Sequence, residues 1–108
     1  MTWRVETLDA RVDAEVLALP GDMQARFYRI GELIETKGLT NVGEPHVKHL
    51  TGKLWEMRMN GRDGIARAFY QAASGQRIVV LRVFVKKTQR TPQSEIDVAL
   101  ERAKEIKK

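Results

Sequence analysis

The feature that most constrains this sequence is a short run, Ile78-Val79-Val80-Leu81, in which every side chain is apolar. Successive side chains of a strand point to opposite faces of its sheet, so a strand built on this run is apolar on both. Such a strand is stable only inside a sheet that is covered on each side. The run predicts a central strand over residues 77–86 and requires other segments to flank and roof it.

Upstream segments have the spacing to do so. Leu8, Val12, Val16 and Leu19 fall on one helical face, with Asp9 as N-cap and Pro20-Gly21 as the stop. Met23, Phe27, Ile30 and Ile34 make a second stripe that ends at Lys37-Gly38. Two helices across a Pro-Gly turn form an antiparallel hairpin whose stripes need a sheet to cover. Residues 3–7 alternate apolar and polar, the period of a half-buried strand. Residues 38–53, with Gly38, Asn41, Gly43, Pro45 and Gly52, hold no period and read as a loop anchored by Val47 and Leu50. Strands are predicted at 54–59 and 65–71, joined to each other and to 77–86 by the hairpin links Asn60-Gly61-Arg62-Asp63-Gly64 and Ser74-Gly75-Gln76. Thr91 as N-cap and Pro92 in the first turn open a last helix with Ile96, Leu100, Ala103 and Ile106 as its apolar face. The expected fold class is α+β: an antiparallel sheet with an N-terminal helical hairpin and a C-terminal helix, in the order β-α-α-β-β-β-α. It fills residues 1–108 as a single domain.

Composition narrows the chemistry. The absence of cysteine excludes disulfides, zinc ribbons and thiol nucleophiles, and fits a reducing cytosol. The first residues lack a basic region followed by an apolar stretch, and no apolar run approaches the roughly 20 residues of a membrane span. The expectation is a soluble cytoplasmic protein without membrane contact. A net charge of +5 favours a polyanion, whether nucleic acid, an acidic protein or an anionic surface.

The cations of the second half are grouped. Lys48, Lys53, Arg58, Arg67, Arg82, Lys86, Lys87 and Arg90 all lie in the loop, in the strands or just after them. One arginine in a strand is commonly the polar member of an alternating pair. Arg58, Arg67 and Arg82 on neighbouring strands instead make a guanidinium-bearing face whose fork geometry suits phosphate. The run from Lys86 through Lys87, Thr88, Gln89 and Arg90 enters the last helix, where free backbone N–H groups also favour anions. Other chemistries find little support. His46 and His49 are close in sequence, but no acidic or thiol cluster accompanies them, so no metal is expected. Ser74 and Ser94 lack a nucleophile elbow, and no phosphate loop or dinucleotide fingerprint calls for a cofactor. Trp3, Phe27 and Trp55 read as core, and Tyr70 as core or as a platform for a base.

The stretch Val47-Lys48-His49-Leu50-Thr51-Gly52-Lys53-Leu54-Trp55-Glu56-Met57-Arg58 resembles the segment of phage-derived HigB-like toxins that leads into their second strand. Gly64-Ile65-Ala66-Arg67-Ala68-Phe69-Tyr70 is similar to their arginine-bearing third strand. Phe84 to Pro92, followed by Ser94-Glu95-Ile96, resembles their signature at the start of the last helix. By this resemblance the chain is identified as a member of the RelE/HigB-type toxins of type II toxin–antitoxin systems. The resemblance implies a RelE-like fold, metal-independent endoribonuclease cleavage of mRNA on the ribosome, and silencing by a cognate antitoxin, a helix-turn-helix protein. In that reaction a ribose 2′-OH loses its proton and attacks the adjacent phosphate. Cations stabilise the phosphorane, and the departing 5′-oxygen takes a proton.

Carried over by position, Arg67 is implied to stabilise transition-state charge, while Lys86 and Lys87 stand where relatives keep catalytic groups. A lysine crowded by cations titrates lower and can exchange protons. Lys48, Lys53, Arg58, Arg82, Thr88, Gln89 and Arg90 are implied to hold RNA or ribosome. Two departures stand out. No histidine or tyrosine follows Tyr70, and Leu81-Arg82-Val83-Phe84 occupies the place where many relatives have His-Gly before the Phe. The same fold also admits a non-catalytic toxin of the ParE kind, which inhibits gyrase, or a basic RNA-binding accessory protein.

Overall fold

A computed structural model describes residues 3–43, 46–86 and 92–106. Ile78 to Leu81 are all buried, and their strand lies inside the sheet as the run demands. The elements are β1 (Arg4–Thr7), α1 (Ala10–Leu17), α2 (Gly21–Lys37), a 3₁₀ turn (Leu39–Asn41), β2 (Val47–Thr51), β3 (Leu54–Gly61), β4 (Gly64–Ala73), β5 (Arg77–Lys86) and α3 (Gln93–Ala103). They form one five-stranded sheet in the order β1-β5-β4-β3-β2. β2 to β5 are antiparallel, as expected, whereas β1 runs parallel to β5, with Val5 opposite Ile78.

Each face of the sheet has its own cover. Met57, Met59, Ala66, Ala68, Val80 and Val83 pack on the α1–α2 hairpin through Val12, Val16, Met23, Phe27, Ile30 and Ile34. On the other face Leu54, Phe69, Val79 and Leu81 pack under α3 through Ile96, Ala99 and Ala103. α3 roofs only this part of its face, leaving the rest for the polar side chains described below. Burial of large apolar side chains, worth about 1.5–3 kcal/mol each, drives both contacts.

Local signals set the ends of these elements. The Asp9 side chain accepts from the Arg11 N–H and caps α1. Gly38 closes α2 at φ +86°, a left-handed conformation that favours glycine. Gly61 is required for a different reason: a Cβ there would lie 2.7 Å from Met23 Cγ and 2.9 Å from Asp22 Oδ2. The bare backbone lets the β3–β4 turn dock on the start of α2, where Asp22 Oδ2 accepts from the Arg62 N–H at 2.7 Å.

Beyond Val80, β5 has no strand on its β1 side, because the β1 register ends at Thr7–Val80. Side chains take over there. Glu15 Oε1 accepts from the Val83 N–H at 2.9 Å, and Arg102 Nη1 donates to the Leu81 carbonyl at 2.8 Å. The same groups pair with each other at 2.9 Å, and Glu15 also pairs with Arg82 at 2.7 Å.

Several expectations need correction. The segment read as a loop contains β2, a short edge strand whose polar Lys48 and His49 hide its period; it turns into β3 through Gly52-Lys53, with Gly52 at φ +53°. The last helix starts at Gln93, with Pro92 just outside it, and Thr91 lies outside the described residues. Leu100 is one position off the buried stripe and is 42% exposed, while Ala99 takes its place. Trp55 is not core but 38% exposed at the β2 edge. Tyr70 is fully buried, so its ring face is no platform for a base.

Candidate active site

The registers of β2, β3, β4 and β5 bring distant cations to one place. Arg58 stands opposite Arg67, Lys48 opposite Glu56, and Lys86 opposite Ile65. Cross-strand partners share a face, as do residues two apart, so Lys48, Glu56, Arg58, Arg67 and Lys86 all lie on the face that α3 leaves open. Their exposure is graded. Lys48 is exposed, Arg58 and Lys86 are half-buried, and Arg67 is buried.

Arg67 and Glu56 form the floor. Arg67 Nη1 pairs with Glu56 Oε1 at 2.8 Å, and their side chains are 8% and 2% exposed. Arg58 Nε reaches the same oxygen at 3.4 Å. Two polar atoms of the pair, Arg67 Nε and Glu56 Oε2, are buried without a hydrogen-bond partner. Such a pair fixes one guanidinium and one carboxylate in a set geometry with hydrogen-bonding capacity to spare. Lys86 titrates below the ordinary lysine range. Burial is the main cause, followed by the Arg67 guanidinium with help from Arg58 and Lys48, and Glu56 opposes them.

The other sequence candidates are placed elsewhere or lie outside the described residues. Arg82 is held by Glu95 at 2.7 Å and Glu15 at 2.7 Å, where it ties α1, β5 and α3 together, and the Glu95 hydrogen bond raises its pKa. Lys53 sits in the β2–β3 turn, where it lines a pocket with Ala103 at the end of α3 and Lys104 just beyond it. Lys87, Thr88, Gln89 and Arg90 lie outside the described residues. Sequence reasoning passed over Glu56, yet Leu54, Glu56 and Arg58 alternate along β3, which signals a carboxylate on the arginine face. Among the described residues no three His, Asp or Glu side chains converge as a metal site, and His49 Nε2 is engaged with the Gly52 carbonyl at 2.7 Å. No described helix is long and apolar enough to cross a membrane.

A helical hairpin on one face of a small, largely antiparallel sheet, with cations on the other, is the RelE-type toxin fold. A solved structure described as the archaeal RelE–RelB complex from Pyrococcus horikoshii OT3 superposes with a TM-score of 0.57 at 25% identity, over 81% of this chain and 98% of that one. The profile of the family described as phage derived protein Gp49-like (DUF891) matches residues 14–104, and the chain belongs to that family. No curated protein matched.

Proposed function

We propose that this chain is the endoribonuclease toxin of a toxin–antitoxin pair and cuts mRNA held on the ribosome. The observation that carries the reading is the buried Glu56–Arg67 pair beneath Lys48, Arg58 and Lys86. A structural ion pair needs no cations gathered over it, whereas a phosphodiester needs fixed positive charge where the phosphorane forms. In this reading Arg67 and Arg58 hold the non-bridging phosphate oxygens, with Lys48 on the neighbouring phosphate. Glu56 Oε2 accepts the 2′-OH proton as the 2′-oxygen bonds to phosphorus. The P–O5′ bond breaks, and the Lys86 ammonium gives its proton to the departing oxygen. The products are a 2′,3′-cyclic phosphate and a 5′-hydroxyl.

No cofactor enters this scheme. Lys53, Lys87, Thr88, Gln89 and Arg90 are proposed as further RNA or ribosome contacts, whereas the carboxylates around Arg82 favour a structural role for it. The ribosome contributes the in-line geometry of the messenger, a large entropic share of the rate. That substrate places the protein in the cytoplasm. The similar archaeal protein was solved as a complex with RelB, which supports an antitoxin as partner here, and residues 1–108 are read as one toxin domain.

The test is to map RNA cuts in a purified translation reaction and on free RNA. Wild type should cut during translation and leave free RNA mostly intact, and Arg67→Ala should cut about 100- to 1,000-fold more slowly. A folded Arg67→Ala protein that still arrests growth in full would overturn the assignment in favour of a non-catalytic toxin.

A further inference from the structure

The cationic face carries two apolar side chains that a surface for anions alone does not need. Ile65 stands opposite Lys86 across the β4–β5 register, and Phe84 stands opposite Arg67. Ile65 and Arg67 are two apart along β4, as are Phe84 and Lys86 along β5, so all four share the face. They form a checkerboard, with the cations on one diagonal and the apolar side chains on the other, close enough to meet. The Arg67 guanidinium helps to lower the Lys86 pKa, which sets the two charges in each other's field. Ile65 is 37% exposed and packs in neither core. Phe84 is half-buried, and its ring is anchored edge to face on Phe69 at 5.2 Å between centroids. On the other side of Ile65, across the β3–β4 register, stands the exposed Asn60.

We propose that Ile65 and Phe84 form the platform for the base next to the phosphate held by Arg67 and Lys86, and that Asn60 reads the edge of that base; the RNA as its source rests on the function proposed above. A nucleotide carries a phosphate and a flat apolar ring on one ribose, so it presents charge and apolar surface side by side, as this face does. An anion gains nothing from the open Ile65 side chain, whereas the flat face of any base packs on apolar groups, best of all on an aromatic ring. The Asn60 amide offers a donor and an acceptor in one plane, the pattern that complements a base edge. Ile65, Phe84 and Asn60 are thus specificity-determining residues that position the nucleotide without touching the reacting atoms.

The experiment measures, by fluorescence anisotropy in low salt, how the full chain binds labelled 2′-deoxy trinucleotides, which lack the attacking hydroxyl. The middle unit is A, G, C or U, or an abasic unit that keeps the backbone alone. At least one base should bind at least about fivefold tighter than the abasic probe. Ile65→Thr keeps the branched shape at an exposed position but makes the platform polar, and should cut this advantage at least about twofold. Phe84→Leu keeps an apolar group against Phe69 without the ring and should cut it further. Neither variant should change abasic binding, whereas a merely structural role would weaken both. Asn60→Ala should level the preference among the four bases. The proposal is overturned if no trinucleotide binds, if the abasic probe binds as well as the others, or if the advantage survives Ile65→Thr. An unchanged preference in Asn60→Ala overturns the reading role of that residue. Loss of antitoxin binding in Ile65→Thr with oligonucleotide binding intact would assign the apolar pair to a protein partner instead. Binding of 2′-deoxy probes needs no cleavage, and mapping of wild-type cuts needs no probe, so failure of the platform and failure of the ribonuclease reading register separately.

Discussion

Removing Glu56 should expose how much the candidate site depends on its buried pair. With side chains 2% and 8% exposed, Glu56 and Arg67 are beyond the solvent screening that makes surface pairs weak. Glu56→Ala leaves a buried guanidinium without its carboxylate, a loss of about 3–5 kcal/mol. That approaches the whole stability of a marginal domain, about 5–15 kcal/mol. Glu56→Gln keeps an oxygen for Arg67 Nη1 and removes only the charge, so about 2 kcal/mol is expected. Replacing both partners with apolar residues, Glu56→Leu with Arg67→Met, should return to within about 1 kcal/mol of wild type, since no buried charge remains. The singles and the double therefore couple by at least about 2 kcal/mol. Urea unfolding followed by tryptophan emission measures each term, and repeating it in 1 M salt should change the coupling little, because buried pairs are weakly screened. Single effects that add within about 0.5 kcal/mol would refute the reasoning, placing the pair in solvent and removing the preset charge from the proposed mechanism. The apolar double should fold well and cut nothing.

Four further outcomes are expected. Cutting should fall on the alkaline side as pH rises through the lowered pKa of Lys86, because the ammonium that donates the proton is lost; Lys86→Arg should bind ribosomes normally, cut at least about 100-fold more slowly and show no alkaline fall. By the same shift the unfolded chain holds that proton more tightly, so stability should rise as pH climbs from this lowered value toward about 10.4, which a pH series of melts on wild type and Lys86→Arg checks. Gly61→Ala drives a Cβ into Met23 and Asp22 and should cost about 1–3 kcal/mol by urea unfolding, whereas Gly43→Ala, with open space around it, serves as the quiet control. Glu15→Ala strips the Val83 N–H of its acceptor and Arg102 of its carboxylate, and should lower stability by about 2 kcal/mol while leaving the cationic face in place; a melt and a cut map together check this.

Much of this fold was legible because its signals are local. The stripe Met23, Phe27, Ile30 and Ile34 specifies its helix by spacing alone, and Ile78 to Leu81 specify an inner strand by being apolar at every position. β2 was not legible, since an edge strand needs only one covered face, and its Lys48 and His49 break the pattern of Val47 and Leu50. Trp55 misled for a related reason: a large aromatic on an edge pair has too few neighbours to bury it. For the site, Arg58 and Arg67 could be placed on neighbouring strands, and register then set them face to face. Arg82 has the same sequence character, yet α3 and α1 bring Glu95 and Glu15 to it, and that tertiary fact leaves no trace in its own strand. Glu56 escaped notice because its importance lies in burial against Arg67 rather than in any motif.

The parallel pairing of β1 with β5 has a consequence for the order in which the molecule folds. β1 is separated from its partner β5 by α1, α2 and β2 to β4, so neither it nor the hairpin after it can complete its packing until β5 has formed. The β3–β4 hairpin, by contrast, closes between neighbours and can bring Arg58 opposite Arg67 early. The rate of folding should therefore be set by closure of the long loop between β1 and β5 rather than by formation of β3 and β4. Substitutions in β1 should slow the appearance of the finished protein more than equally destabilising ones in the β3–β4 turn.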